Sequence, residues 1–335
     1  MATIRDIARE AGVSVSTVSR VLTGRPDVSA RTSERVRAVV DRHRFEANRN
    51  AQYLKQVDTS TIAVIVKGRS NVLFAAMLEL VQAAVLDAGL RTAVRYIDED
   101  ADEVAEAERV VPQLKPRGVV LFGGDAEHFA AVGRRVGVEI PAVVLTNRAT
   151  SPAHPLLSSV STDDEASGRA AVAHLIARGH RAIGVVAGNP EASAISRHRL
   201  AGAQAGLAEA GLRLDGRVSI ARYSLTAGFR ATRELLDRAP EITALYAMSD
   251  LMALGAIRAL ADLGRRVPDD ISVIGHDGVE LGSFTVPRLT TIRQPQEEMV
   301  REGLRPLLDG TGRGVCVTLP VELVPGESVR DVSAN

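Results

Sequence analysis

Residues 3–22 read TIRDIAREAGVSVSTVSRVL, and this stretch decides how the N-terminal part folds. Ile7, Ala11, Val13, Val18 and Val21 fall where a two-helix core needs apolar side chains. The small Ala8 lets two helices cross closely, and Gly12, four residues on, supplies the left-handed turn residue between them. The spacing predicts a first helix from Ile4, a second from Val15 and a third from about Ala30 to His43, with Thr3, Ser14 and Ser29 at N-cap positions. Strand signals are absent here.

On a helical wheel the second helix turns Val18, Val21 and Leu22 to one side and Ser16, Ser19 and Arg20 to the other, with Val15 in the first turn. Ser14, Ser16, Thr17 and Ser19 lie within six positions, although such residues favour caps and turns over helix interiors. Their density points to a use outside the helix. Short hydroxyl side chains allow close approach to DNA and can bond phosphates or bases, and Arg20 is long enough to reach a guanine edge. A three-helix bundle with a solvated basic face is the competing reading. Spacing, glycine turn and charge together favour the DNA-binding helix-turn-helix.

The 335 residues carry a formal net charge of zero that hides a split. Up to Val57 there are eleven basic residues against six acidic ones, so this segment is +5 and the remainder −5. An anion-binding head on an acidic body fits that division. The single cysteine, Cys316, excludes an internal disulfide and a thiolate metal cluster. The start is polar and no apolar run approaches the roughly 18 residues of a membrane helix, so the expected location is cytoplasmic, associated with the nucleoid, with no membrane partner.

Residues 45–60, FEANRNAQYLKQVDTS, form a polar connector. From Thr61 the pattern changes to short β-branched runs alternating with amphipathic helices: TIAVIV, TAVRYI, GVVLF and PAVVL, then AIGVVAG, RVSIA, TALYAMS and ISVIG. The helices between them are expected at Leu73–Ala88, Glu103–Leu114, from about Glu127, then at Asp164–Arg178, Arg199–Ala210, Thr226–Arg238 and Asp250–Leu263. Such alternation implies parallel sheets with crossover helices on both faces. A dozen units exceed one comfortable sheet, which predicts two similar lobes divided near Val160.

At this point the residues carry a family resemblance. TIRDIAREAGVSVSTVSRVLTGRPDVSARTSERV resembles the DNA-binding head of the lactose and galactose repressor (LacI/GalR) family, and VSTDDEASGRAAVAHLIARGHRAIGVVAG, SDLMALGAIRALADLGRRVPDDISVIGHDG, PRLTTIRQP and LPVELVPGES extend it over nearly the whole chain. The resemblance implies an all-α helix-turn-helix head at 1–46, a hinge at 47–60, and a two-lobed α/β body at 61–335. That body is similar to periplasmic sugar-binding proteins, with doubly wound parallel sheets. Its first lobe is expected at about 61–160 plus 292–320, its second at about 161–290 plus 321–332. A homodimeric transcription factor, usually a repressor, follows, with an inverted-repeat operator and no cofactor. The chain ends soon after GESVRDVSAN without leucine heptads, so a dimer is the expected assembly.

The expected DNA contacts in the head are Thr3, Ser14, Val15, Ser16, Thr17, Ser19, Arg20, Thr23 and Ser29. The resemblance adds Asn48, Arg49, Ala51 and Leu54 in the hinge, where Leu54 takes the place of a leucine that wedges into the minor groove at the operator centre. Ala47 stands where the family commonly has proline, and Tyr53 replaces a smaller residue beside the leucine.

Ligands of two-lobed parallel folds bind outside the carboxyl ends of the strands. The loops in that position hold Asn71, Phe74, Asp163, Ser193, Arg199, Phe229, Ser249, Asp250 and Asp277, nearly all matching effector-contacting positions of the family. Arg199 and Asp277 are the leading pair, since an arginine fork facing a carboxylate binds a polyol through charge-assisted hydrogen bonds. Phe229 or Phe74 could stack on a ring. Taken singly, Asp250 reads equally as a helix cap, Arg199 as the partner of a neighbouring acid and Phe229 as core. Ser249 stands where asparagine is common in the family, and Gly278 where a second aspartate is common. With no tryptophan and 3% aromatics, a cleft of stacked tryptophans is excluded. The effector is expected to be a sugar or sugar derivative, with a nucleobase, nucleoside or partner protein as alternatives.

No catalytic set assembles. The seven histidines show no HExxH spacing, no GxSxG elbow occurs, and Asp269 and Asp270 after Pro268 read as turn chemistry. A non-enzyme is expected. The competing class is a cytoplasmic sugar-binding module with a vestigial head.

Overall fold

The apolar spacing of the first forty residues is realised as three helices, α1 (Ile4–Glu10), α2 (Val15–Leu22) and α3 (Ala30–Arg42). The computed structural model describes residues 4–22, 28–43, 60–69, 71–133, 140–149, 155–311 and 313–333. The chain divides into two units, Met1–Asp58 and Thr59–Asn335.

In the first unit Ile7, Ala8, Ala11, Val18, Val21, Val36 and Val39 form one buried cluster, with Val13 and Leu22 packed against it. Gly12 turns the chain between α1 and α2 at φ 62°, a conformation that costs glycine little. The Ser14 hydroxyl accepts from the Thr17 amide (3.1 Å) and the Ser29 hydroxyl from the Thr32 amide (3.3 Å), capping α2 and α3. Glu10 ties α1 to the end of α3 by accepting from Arg42 Nη1 (2.6 Å) and meeting His43 Nε2 (2.5 Å).

The second unit contains β1 (Thr61–Lys67), α4 (Val72–Asp87), β2 (Arg91–Ile97), α5 (Glu103–Leu114), β3 (Gly118–Phe122), α6 (Ala126–Gly133), β4 (Ala142–Leu145) and β5 (Leu157–Thr162). There follow α7 (Asp164–Ala177), β6 (Ile183–Ala187), α8 (Ala194–Glu209), β7 (Val218–Ile220), α9 (Leu225–Arg238), β8 (Ala244–Ala247), α10 (Asp250–Asp262), β9 (Ser272–Asp277), β10 (Thr290–Arg293), α11 (Gln296–Leu308), β11 (Cys316–Leu319) and β12 (Glu322–Val324). They form two six-stranded sheets, ordered β11-β5-β4-β3-β1-β2 and β12-β10-β9-β8-β6-β7. Helices cover both faces, which is why strands such as GVVLF are apolar and buried at every position.

The chain passes between sheets three times, after β5, after β10 and after β11. The last passage explains a departure from the all-parallel expectation. Only Pro320 and Val321 separate β11 from β12, so the chain leaves one sheet at a carboxyl end and must run back along the next; β12 pairs antiparallel with β10. A second departure is α8, which begins at Ala194 on a Ser193 cap, one and a half turns before the expected Arg199. Among the described residues no helix is long and apolar enough to cross a membrane.

Candidate functional site

Two sites were expected, one in each unit. In the first unit, the outward side of α2 carries exposed Val15, Ser16 and Arg20. Ser14 Oγ lies 2.7 Å from Ser16 Oγ and 2.8 Å from Thr17 Oγ1, so the hydroxyls already form a small network anchored on the cap. Thr3, Thr23, Asn48, Arg49, Ala51 and Leu54, with Ala47 and Tyr53, lie outside the described residues, as does the side chain of Ser19.

In the second unit a cleft of about 690 Å³ is lined by loops at the carboxyl ends of strands from both sheets. From the first lobe come Lys67, Arg69, Asn71, Phe74, residues 98–100, Asp125, Thr146 and Asn147; from the second come Asn189, Ser193, Arg199, Arg222, Tyr223, Asp277 and Gln294. Of the expected contacts, Asn71, Phe74, Ser193, Arg199 and Asp277 line it.

Arg199 is 3% exposed and held on three sides. Its Nε donates to Asp164 Oδ1 (2.8 Å), and its Nη1 to the Met248 carbonyl (2.7 Å) with Asp277 Oδ1 at 3.5 Å. Asp164 opens α7, and α7 approaches α8 closely because Gly168 has no Cβ; one built there would sit 2.2 Å from the Arg199 carbonyl oxygen. Asp277 also accepts from Gln294 Nε2 (2.9 Å). Burial pushes the Asp277 carboxyl up to about 6, with Arg199 opposing the rise. Its backbone adopts φ 108°, and Thr146 across the cleft φ 77°. Strain of this kind persists where the surroundings hold a residue in place for binding.

Four expected contacts do not line the cleft. Asp163 is exposed and spends its carboxylate capping α7 through the Ala166 amide (2.9 Å). Phe229 lies one turn inside α9, with the Arg233 guanidinium 5.7 Å from its ring centre. Ser249 caps α10 through the Met252 amide (3.2 Å). Asp250 is fully buried, accepting from the Val279 amide (2.8 Å) and Thr291 Oγ1 (2.6 Å). Burial and the nearby Asp277 push its carboxyl up to about 8.

The sequence reading missed Tyr223, Gln294, Thr146 and Arg222. Tyr223 supplies the aromatic wall beside Arg199, its hydroxyl 2.7 Å from Ser196 Oγ. Gln294 follows β10 and was legible from the carboxyl-end rule that found the others. Arg222, after β7, reaches across to the loop after β2, bonding Asp98 Oδ1 (2.6 Å), Glu99 Oε1 (2.8 Å) and Asp100. Behind the first-lobe wall, buried Glu103 receives Lys67 Nζ (2.8 Å) and the Asp125 amide (2.6 Å). No group among the described residues has the composition of a metal site.

Comparison with known proteins bears on both units. A family model for bacterial regulatory proteins of the lacI family matches residues 3–48, and one for a periplasmic binding protein-like domain matches residues 172–329. The transcriptional regulator MalR of Clostridium butyricum is 32% identical over 97% of this chain and 98% of its own. A transcriptional regulator CelR–cellobiose complex has a TM-score of 0.71 at 29% identity, covering 98% of this chain and 100% of that one. The lac repressor dimer bound to operator and the anti-inducer ONPF has a TM-score of 0.72 at 29% identity, covering 98% and 99%.

Proposed function

The chain belongs to the lacI family of bacterial regulatory proteins, and from that premise we propose that it represses transcription as a homodimer on an inverted-repeat operator, under control of a small sugar-like effector in the cleft. The observation that carries the proposal is a single chain holding both a helix with an outward hydroxyl and arginine face and a cleft built around buried Arg199. α2 enters the major groove: Ser16 and Arg20 read base edges while Thr17 and Ser19 hold phosphates. The hinge at 47–60 places Leu54 at the operator centre.

The similarity to a cellobiose complex supports a carbohydrate in the cleft, and that to an operator-bound dimer supports the assembly. Leu281, Phe284 and Val286 support the assembly too; they are 44%, 77% and 95% exposed within six residues, an apolar strip that a second copy would cover. The effector contacts both lobes at once, so it stabilises one angle between them, and the three passages between sheets transmit that angle to the first lobe and the hinge. Such a protein works in the cytoplasm, on the nucleoid.

A mobility-shift assay on pseudopalindromic sites near the gene, paired with footprinting, tests the reading. Specific binding lost on Arg20→Ala and two protected half-sites support it. Binding unchanged by Arg20→Ala, or one asymmetric half-site protected by a monomer, refutes it.

A further inference from the structure

The two lobes are joined by charge as well as by chain. Arg222 stands two residues after β7 in the second lobe, and Asp98, Glu99 and Asp100 follow β2 in the first. The guanidinium Nη2 is shared by Asp98 Oδ1 (2.6 Å) and Asp100, and its Nε meets Glu99 Oε1 (2.8 Å). All four residues line the cleft. The side chains of Arg222, Asp98 and Asp100 are at least half exposed, which places the cluster at the rim. Among the described residues, the ion pairs that cross from one lobe to the other are these three.

Each side of the cluster is held by its own backbone. Asp98 Oδ1 accepts from the Asp100 amide (3.1 Å), the Asp98 carbonyl from the Ala101 amide (3.0 Å), and Asp102 caps α5 through the Val104 amide (2.8 Å). Across the cleft the Arg222 carbonyl accepts from the Ser224 amide (2.8 Å), Ser224 caps α9, and the Tyr223 hydroxyl lies 2.7 Å from Ser196 Oγ. An isolated exposed pair moves an equilibrium by about fivefold at most, whereas charges in a network count for more. Here one guanidinium serves three carboxylates between two fixed turns. Without it the three neighbouring acids repel one another across to no partner. Arg69, the other cation acting on Asp98, belongs to the same lobe as the acids and moves with them. We propose that Arg222 and the acids at 98–100 form an electrostatic latch, which favours the closed arrangement of the lobes whatever occupies the cleft and whose hold is set by ionic strength. On the reading of the cleft as the effector site, latch and effector bias the same angle between the lobes.

Opening of the cleft can be read with one thiol. Ala194 is half-buried in the lining, so Ala194→Cys in a Cys316→Ser background of the full chain places a thiol there. N-ethylmaleimide and the bulkier N-(1-pyrenyl)maleimide are both uncharged, and the ratio of their rates cancels the thiol's own ionisation. The bulky-to-small ratio should rise at least roughly threefold on Arg222→Glu. Without that change it should rise between about 0.1 M and about 1 M sodium chloride, as the screening length falls from about 10 Å to about 3 Å. Adding Glu99→Arg and Asp100→Arg to Arg222→Glu restores opposite signs across the gap, with Asp98 kept to hold its turn, and should bring the ratio back. A ratio unmoved by Arg222→Glu or by salt, or left raised by the charge reversal, overturns the inference, because a local packing role for Arg222 would not follow the sign of the charge. The salt comparison uses no latch variant, so it stands even if one of them fails to fold. The measurement needs neither DNA nor effector, so it can fail while the mobility-shift result stands, and the reverse.

Discussion

Replacing Asp250 with asparagine should change how stability depends on pH. In the folded chain burial and Asp277 push this carboxyl up to about 8, against an ordinary value of 3.8. Between those values the folded state keeps a proton that the unfolded state has lost, so stability is greatest at low pH and falls as pH rises through the folded value. From pH 7 to pH 8 the folded group averages roughly 0.7 of a proton while the unfolded group holds almost none. At about 1.4 kcal/mol per proton per pH unit the loss is about 1 kcal/mol. Asparagine keeps the shape of the protonated form and cannot titrate: its oxygen accepts from the Val279 amide, and the Thr291 hydroxyl, which donates to Asp250 in the unchanged chain, turns to accept from the new NH2. His174, His180 and His276, whose values are lowered by burial, act in the opposite sense, mainly below the chosen window, and are common to both proteins. Urea unfolding of the full chain, followed by far-ultraviolet circular dichroism because the chain has no tryptophan, should give a curve steeper by about 1 kcal/mol for the unchanged protein between pH 7 and pH 8. Parallel losses in the two proteins would refute the assignment of that proton to Asp250.

Further outcomes follow from the same geometry. Arg199→Ala leaves Asp164 and Asp277 buried without their cation, and thermal melts should show a loss of about 3–5 kcal/mol; Arg199→Lys should recover only part, since one ammonium cannot copy the fork. Arg20→Ala should weaken operator binding by about 1–3 kcal/mol and relax base preference at one position of each half-site, as read by mobility shift on variant sites. Gly278→Asp places a side chain at φ 70° with its Cβ 2.7 Å from the Arg293 Cα, which should cost at least about 2 kcal/mol; a change under about 0.5 kcal/mol contradicts the packing described. Effector affinity measured by calorimetry should fall as pH drops through about 6, where Asp277 takes up its proton.

What could be read from the sequence depended on whether the signal was local. Helix starts were local: a capping side chain and the amide it serves lie three residues apart, as for Asn71 with Phe74 and Ser224 with Ala227. The run of buried strands was local in the same sense, since a β-branched stretch between turn residues forms a strand wherever it packs. Position relative to a cleft is not local. Tyr223 and Phe229 are aromatic residues six positions apart, and the start of α9 at Leu225 leaves the first in the loop facing the cleft and carries the second onto the helix. An expected start at Thr226, one residue later, could not settle which ring faces the ligand.

The pairs Asp163–Asp164 and Ser249–Asp250 hold three of the expected contacts that lie outside the cleft lining. In each, two polar residues stand at the carboxyl end of a strand where a helix begins. The first residue bonds the backbone of its own helix, and the second, one position into the helix, turns inward to a distant partner, Arg199 for Asp164 and the Val279 amide and Thr291 for Asp250. The helix needs its cap whatever the tertiary fold contains, because its first amides lack partners, so in these two pairs the first side chain is spent on the backbone, whereas the caps Asn71 and Ser193 also line the cleft. The acid after the cap has no local duty and is the one to examine for an ion pair or a perturbed proton. Applied to this chain, that rule passes over Asp163 for Asp164 and so reaches Arg199 from its partner as well as from its own position.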